Sequence, residues 1–168
     1  MNAEIARVRG IPLGEDSLSP NRHPEVSSSE DLLDLLETVR SISGKPVGIK
    51  AVIGDHRWLQ ALCSTINERG LASAPDFITV DGAEGGTGAA PASLIDYMGL
   101  PLRESLPLVV DILKKHGLRE RIRVIASGKL INPAQIAWAL CVGADFATTA
   151  RGFMFSLGCI QAMQCNKN

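Results

Sequence analysis

The segment at residues 81–91, with sequence DGAEGGTGAAP, combines closely spaced glycines with a threonine. Glycine lets a backbone approach a ligand closely, and free N–H groups together with the Thr87 hydroxyl offer hydrogen bonds. No Gly-Lys-Ser/Thr follows and the G-x-G-x-x-G spacing is absent, so the segment is neither a P-loop nor a dinucleotide fingerprint. It predicts a ligand-binding loop, with an ordinary flexible connection as the alternative. Its glycines are Gly82, Gly85, Gly86 and Gly88.

A lysine interrupts the apolar run KPVGIKAVIG, where Lys50 stands between Ile49 and Ala51. Burying its ammonium would cost several kcal/mol unless an anion compensates. We therefore expect Lys50 to face an anionic ligand. The alternative is a lysine whose stem lies on apolar surface while its charge reaches water.

Two later apolar runs also end in polar residues. Ser127, Gly128 and Lys129 follow the first run, and residues 148–152, which include Arg151, follow the second. Hydroxyl, glycine and guanidinium groups are suited to binding phosphate. Taken singly, each charge would more often be a solvated side chain.

Apolar periodicity predicts strands alternating with helices over residues 30–152, after an irregular lead-in at 1–29. We expect helices near 30–42, 56–69, 104–116, 133–142 and 153–164, and strands at 46–53, 76–81, 122–126 and 145–149. Such alternation predicts an α/β fold with a parallel sheet, here with strands apolar on both faces. An open doubly wound sheet and part of a (β/α)8 barrel both fit. In either, function belongs at the carboxyl ends of the strands.

Composition narrows the class of protein. The 168 residues suit one domain, and 17 basic against 18 acidic residues give a net charge of −1. Neither this balance nor the 4% aromatic content favours binding to nucleic acid. We expect no membrane span and no signal peptide, hence a cytoplasmic protein without disulfides. Cys63 and Cys141 are expected to be small buried side chains.

Four stretches together resemble the FMN-binding domain of the glutamate synthase family: GGTGAAP, GLRERIRV, a Ser-Gly at a strand end, and GCIQAMQCNKN. The resemblance covers nearly the whole chain and implies the C-terminal half of a (β/α)8 barrel. Residues 1–168 would then be a partial barrel domain: the lead-in 1–29, β/α units 30–152 and the start of an iron–sulfur segment, 153–168. We expect the first four strands and a third cluster cysteine to lie outside this sequence.

The resemblance implies FMN and a [3Fe–4S] cluster as cofactors, and reduction of 2-iminoglutarate, made from 2-oxoglutarate and ammonia, to L-glutamate. An electron-donor or amidotransferase subunit is an expected partner, and this chain alone is expected to be inactive. Lys50 and Glu84 would be catalytic. Residues implied to bind cofactor are Lys50, Gly85, Gly86, Thr87, Ser127, Gly128, Lys129, Ala150, Arg151 and Gly152. Cys159 and Cys165, spaced C-x5-C, would hold the cluster; by themselves two thiolates are too few for most clusters.

The chain departs from the typical family pattern at several of these positions. Ala83 and Glu84 replace a His-Asp pair, and Ser127 replaces an aspartate. Lys129 stands where the family has glycine, and Arg151 where it has serine.

Three alternatives compete with this interpretation. An IMP dehydrogenase needs a cysteine in the loop at residues 82–92, which has none. A hydroxy-acid oxidase needs a histidine after the penultimate strand, and none lies between Gly117 and Asn168. The third alternative is an inactive half-barrel that serves only as an assembly surface.

Overall fold

A computed structural model describes residues 3–16, 23–85 and 96–163. Within them, seven α-helices and four strands occur in the order α1, α2, β1, α3, β2, α4, β3, α5, β4, α6, α7. The helices are α1 (Ala3–Arg9), α2 (Ser29–Ser43), α3 (Arg57–Arg69), α4 (Leu102–Lys115), α5 (Pro133–Val142), α6 (Ala150–Ser156) and α7 (Cys159–Ala162). The strands are β1 (Gly48–Val52), β2 (Phe77–Asp81), β3 (Arg123–Ser127) and β4 (Phe146–Thr148).

Side-chain caps fix where two of the helices begin. The Ser28 hydroxyl accepts from the backbone N–H of Asp31 at 3.1 Å, and the Asp31 carboxylate accepts from Ser28 N at 2.9 Å. Asn132 and Gln135 form the same reciprocal pair at the start of α5. These contacts satisfy amide groups that have no partner within the helix.

The four strands form one parallel sheet in the order β1-β2-β3-β4, with α3, α4 and α5 as the crossover helices. The register pairs Val52 with Asp81, Asp81 with Ser127, and Ser127 with Thr148. The carboxyl ends of all four strands therefore meet at one edge, as the strand–helix alternation predicts.

Among the described residues, helices pack against one face of this sheet. Ile78 and Val80 in β2 and Val124 and Ala126 in β3 are fully buried, and they share a core with the apolar sides of α3, α4 and α5. The opposite face includes Lys50 and Phe146, both exposed. A doubly wound sheet has helices on both faces, so the fold is consistent with part of a (β/α)8 barrel.

An aspartate at the amino-terminal edge joins each outer strand to its neighbour. The backbone of Asp76 donates to Val47 O at 2.7 Å, and its carboxylate accepts from Val47 N at 2.8 Å. Asp145 forms the same pair of bonds with Val124, at 2.8 and 2.7 Å. Arginines complete both sites: Arg121 binds Asp76 and Arg119 binds Asp145, each at 2.9 Å.

Two expectations about the ends of the chain are wrong. Residues 1–29 are not irregular throughout, since α1 forms with Glu4 in its first turn, Arg7 and Arg9 in its last, and Ala6 buried. Seven residues are too few to show a clear period. The helix expected at 153–164 is two helices, α6 and α7, because Gly158 adopts a left-handed conformation between them, with φ of 80°.

Candidate functional site

A row of polar side chains crosses the carboxyl edge of the uncovered face. Asp81, Ser127 and Thr148 are register partners at the ends of β2, β3 and β4. In a strand, residues two apart lie on the same face, so Lys50 in β1 shares this face. The fold thus brings together residues from all four strands, as the parallel topology predicts.

Lys50 forms an ion pair with Asp81. The distance from Nζ to Asp81 Oδ2 is 2.5 Å, and the Lys50 side chain is 61% exposed. The lysine is therefore paired with an anion of its own sheet and largely exposed, and its expected role toward an anionic ligand stays a prediction. Asp81 was not expected as its partner, because a one-residue offset between adjacent parallel strands decides which side chains meet, and no local motif fixes that offset.

The glycine-rich loop begins with a tight approach of two backbones. Gly82 N donates to Ser127 O at 2.8 Å, and a Cβ placed on Gly128 would lie 3.1 Å from Gly82 Cα. Both loops then pass through left-handed conformations at non-glycine residues, Ala83 with φ of 48° and Lys129 with φ of 40°. Such conformations cost about 1–3 kcal/mol each and are held by their surroundings.

Two of the charged residues predicted for the site have partners of their own. Glu84 Oε2 accepts from the backbone N–H of Leu102 at 3.1 Å and so caps α4. Lys129 Nζ lies 3.1 Å from Asp96 Oδ1. Glu84 and Lys129 stay predictions as site residues, and the structure adds a local role for each.

Arg151 reaches from the start of α6 to the glycine-rich loop. Gly85 has φ of 128°, and a Cβ placed on it would lie 2.9 Å from Arg151 Cζ and closer still to one of the guanidinium nitrogens. The arginine side chain is half-buried. Among the residues that the structure describes, no carboxylate pairs with it. A half-buried cation of this kind is suited to an anion.

The start of α6 is tightly packed. A Cβ placed on Gly152 would lie 2.8 Å from Thr149 Oγ1 and 3.2 Å from Ile131 O. Ala150, the first residue of α6, is exposed. Both residues thus lie next to Arg151, at the carboxyl end of β4.

The remaining predicted site residues are only partly described. Gly86, Thr87 and Cys165 lie outside the described residues. Cys159 is half-buried at the start of α7. Within the described part of the chain, no group of three His, Cys, Asp or Glu side chains could hold a metal ion.

The other two cysteines differ from each other. Cys63 is buried as expected, and burial raises the pKa of its thiol to about 11. Cys141 is exposed, so the expectation that it is buried is wrong. It belongs to α5, in which apolar residues occur all round the helix and do not identify the buried side.

The fold and this edge define a class of protein: a parallel α/β sheet with helices on one face and a polar site at the carboxyl ends of its strands, consistent with part of a (β/α)8 barrel. Comparison with known proteins identifies the family. The family described as "Conserved region in glutamate synthase" matches residues 1–168. The chain belongs to this family, and the resemblance stated from its motifs is confirmed.

Curated relatives agree with this assignment. The chain is 46% identical over 168 residues to the glutamate synthase large subunit-like protein YerD of Bacillus subtilis, covering 100% of this chain and 32% of that protein. It is 32% identical over 163 residues to the archaeal-type glutamate synthase [NADPH] of Thermotoga maritima, covering 96% and 31%. It is also 32% identical to the chloroplastic ferredoxin-dependent glutamate synthase of Spinacia oleracea, of which it covers 10%. The chain thus spans about a third of the length of the first two relatives.

No helix among the described residues is both long and apolar enough to cross a membrane.

Proposed function

We propose that the protein carrying this chain is an FMN- and iron–sulfur-dependent oxidoreductase that reduces 2-iminoglutarate, formed from 2-oxoglutarate and ammonia, to L-glutamate. Membership of the glutamate synthase family supports the proposal. The observation that carries it is the cation Lys50, placed on an uncovered sheet face beside the polar carboxyl edge of the same strands. In this proposal residues 1–168 are one part of an FMN-binding barrel, with β/α units at 30–152 and a cluster-binding segment beginning at 153.

The residues at the edge fit the chemistry of FMN. A flavin mononucleotide needs a cation or donor near its ring, donors for its ribityl chain, and positive charge at its phosphate. Lys50, Ser127 and Arg151 supply these three kinds of group from β1, β3 and the start of α6. The close approach of Gly82 to Gly128 leaves the backbone rather than side chains at the surface between them.

Each side chain then has a defined role. When bound, FMN supplies the hydride that reduces the imine. Lys50 holds a positive charge where negative charge develops, on the ring or on a substrate carboxylate. Ser127 donates its hydroxyl to the ribityl chain or phosphate, and Arg151 donates to the phosphate. Gly85, Gly86, Thr87, Gly128, Lys129, Ala150 and Gly152 complete the cofactor-binding set.

Glu84 is the second proposed catalytic residue. Its Oε2 is held by the amide of Leu102, so a role in proton transfer would use Oε1. This anchoring fixes the carboxyl group relative to α4, which is the positioning that general acid–base chemistry requires.

Cys159 and Cys165 are proposed as ligands of an iron–sulfur cluster. Two thiolates do not complete a cluster, so further ligands are required. Cys63 is a poor candidate for such a ligand, because it is fully buried among apolar side chains of the core.

Absorbance spectroscopy tests the proposal directly. We expect the protein as its gene encodes it to purify with flavin bands and a broad iron–sulfur absorbance. It should form glutamate from 2-oxoglutarate and ammonia when a reductant is supplied. Cys159→Ser should abolish the iron–sulfur absorbance and leave the flavin bands, whereas Cys141→Ser, which removes the exposed cysteine of α5, should change neither. A protein without flavin contradicts the proposal.

A further inference from the structure

Asp81 contacts two elements of the site through its two carboxylate oxygens. Oδ2 accepts from Lys50 Nζ at 2.5 Å, and Oδ1 accepts from the backbone N–H of Ala83 at 3.0 Å. Asp81 is the last residue of β2 and its side chain is 26% exposed, less than half the exposure of Lys50. One partly buried carboxylate therefore joins the lysine to the first turn of the glycine-rich loop.

The register of the sheet explains why these two residues meet. Lys50 pairs with Thr79 in β2, and Asp81 lies two residues further along the same strand, so both side chains point to the uncovered face. The lysine side chain reaches forward along its strand to the carboxyl edge. Its ammonium group thus lies at the edge where the loops begin, rather than in the middle of the sheet.

A lysine on an open face needs such a partner to hold its charge in one place. Its four-carbon stem has several rotatable bonds, and its ammonium is a strongly hydrated point charge. An ion pair this exposed contributes little to the stability of the fold. Its effect is on geometry: Asp81 accepts from one of the three ammonium donors, and two remain for a ligand.

We propose that Asp81 is the positioning residue for Lys50: it holds the ammonium group at the carboxyl edge and ties it to the conformation of the glycine-rich loop at Ala83. The proposal rests on the function proposed above, in which the Lys50 charge acts on a flavin or a substrate carboxylate. Asp81 itself does not touch the reacting atoms. It acts through Lys50, so its effect must disappear when Lys50 has no charge.

The test is a double-mutant cycle in the protein as its gene encodes it. Asp81→Asn keeps an oxygen that accepts from Ala83 N and removes the negative charge beside Lys50. Alone, it should lower kcat/KM for 2-oxoglutarate in ammonia-dependent glutamate formation by roughly tenfold, the lower end of what loss of a supporting partner costs. In a Lys50→Met background, the same change should alter kcat/KM by less than about twofold.

Equal losses in both backgrounds would assign Asp81 a purely structural role and overturn the proposal. Asp34→Asn is the matched control, since Asp34 also pairs with a cation, Arg69, at 2.7 Å, but on α2 away from the strand ends. It should leave kcat/KM unchanged in both backgrounds.

A second measurement separates this proposal from the proposed function. If even the unsubstituted protein forms no glutamate, the function fails, and nuclear magnetic resonance of ¹⁵N-labelled lysine Nζ groups then tests the ion pair alone. Asp81→Asn should speed the exchange of the Lys50 ammonium protons with water, whereas Asp34→Asn should not. An unchanged Lys50 signal in the Asp81→Asn protein overturns the positioning role.

Discussion

Lys50 is the residue whose charge the proposed chemistry depends on most. It lies on the uncovered face of β1, with its ammonium at the carboxyl edge beside Asp81. Lys50→Met keeps the length of the side chain and removes the charge. Because its side chain is 61% exposed, the substitution should leave the fold intact and most FMN bound. Flavin reduction or turnover should slow by roughly a hundredfold, the scale of one lost electrostatic stabiliser.

Stopped-flow measurement of flavin reduction checks this expectation. Lys114→Met serves as the control, because Lys114 is an exposed lysine in the last turn of α4, at the amino-terminal side of the sheet. It should leave the rate unchanged. A rate for Lys50→Met within about twofold of the unsubstituted protein, at full flavin occupancy, would mean that the Lys50 ammonium is solvated and does not act on the reaction.

Arg151 is expected to bind the phosphate of FMN, because its half-buried guanidinium has no carboxylate partner within the described residues. Arg151→Glu places a negative charge beside that phosphate and should weaken FMN binding by about a hundredfold or more, since it both removes a charge-assisted hydrogen bond and adds repulsion. Fluorescence titration of the flavin-depleted protein measures the dissociation constant.

Lys114→Glu is the control for this charge reversal, since it makes the same change in net charge at a position remote from Arg151. Equal affinities for Arg151→Glu and Lys114→Glu would show that the arginine does not bind phosphate.

Among the secondary-structure elements, Asp76 and Asp145 at the amino-terminal edge of the sheet make the stability of the fold depend on pH. Burial raises the pKa of Asp76, but hydrogen bonds from Val47 N and Arg121 and the charge of Arg40 outweigh it and hold the pKa below 3.8. For Asp145, burial likewise raises the pKa, and the bonds from Val124 N and Arg119 lower it further than burial raises it.

A carboxyl group whose pKa is lower in the folded state stabilises the fold above its unfolded pKa. That contribution is lost as the pH falls through the folded pKa. We therefore expect the free energy of unfolding, measured with urea, to fall as the pH drops below about 4, the ordinary range of an aspartate. Asp76→Asn should lower stability at pH 7 and make the fall at acid pH smaller. An unchanged acid profile in Asp76→Asn would assign the fall to other carboxylates.

Local chemistry made several elements predictable from sequence. Asn132 followed by Pro133 is a typical helix start, and α5 begins there. The apolar spacing of Leu59, Leu62, Cys63 and Ile66 is helical, and these residues form the buried face of α3. Ser27–Glu30 and Ser28–Asp31 both have the spacing of a capping box, and α2 uses the second. Each of these signals lies within a few residues of the feature it predicts. The short helix α1 carried no comparable signal, whereas the break between α6 and α7 lies at a glycine, Gly158, in a left-handed conformation.

The site was less predictable than the elements. The residue types of the site can be read from the sequence, and parallel topology places them at the carboxyl edge of the sheet. The exposure of Lys50 cannot be read in this way, because it depends on which face the helices cover. The contact of Lys50 with Asp81 depends on strand register and joins residues 31 positions apart in the chain. The approach of Arg151 to Gly85 depends on loop conformation and joins residues 66 positions apart.

For the molecule as a whole, an uncovered sheet face exposes apolar side chains to solvent. Val52 and Phe146, on the two outer strands, are 41% and 59% exposed. The 168-residue chain in isolation should therefore bind an apolar fluorescent dye such as ANS. Phe146→Ser should reduce the dye fluorescence, whereas Ile42→Ser, which removes an 82% exposed residue from α2, should have a much smaller effect. Equal effects of the two substitutions would show that the dye does not bind this face.

The aspartates at the amino-terminal edge also bear on how the strands find their alignment. In β2 and β3, buried residues alternate with half-buried or exposed ones, so a slip of one residue would turn apolar side chains such as Ile78 out of the core. In β1 and β4 no residue is fully buried, and burial specifies their alignment only weakly. Asp76 and Asp145 each tie one of these outer strands to an inner one through paired bonds to a single valine. A strand shifted by one residue would lose both hydrogen bonds of its aspartate. Asp76 and Asp145 thus specify the alignment of the two outer strands, which hydrophobic burial alone does not determine.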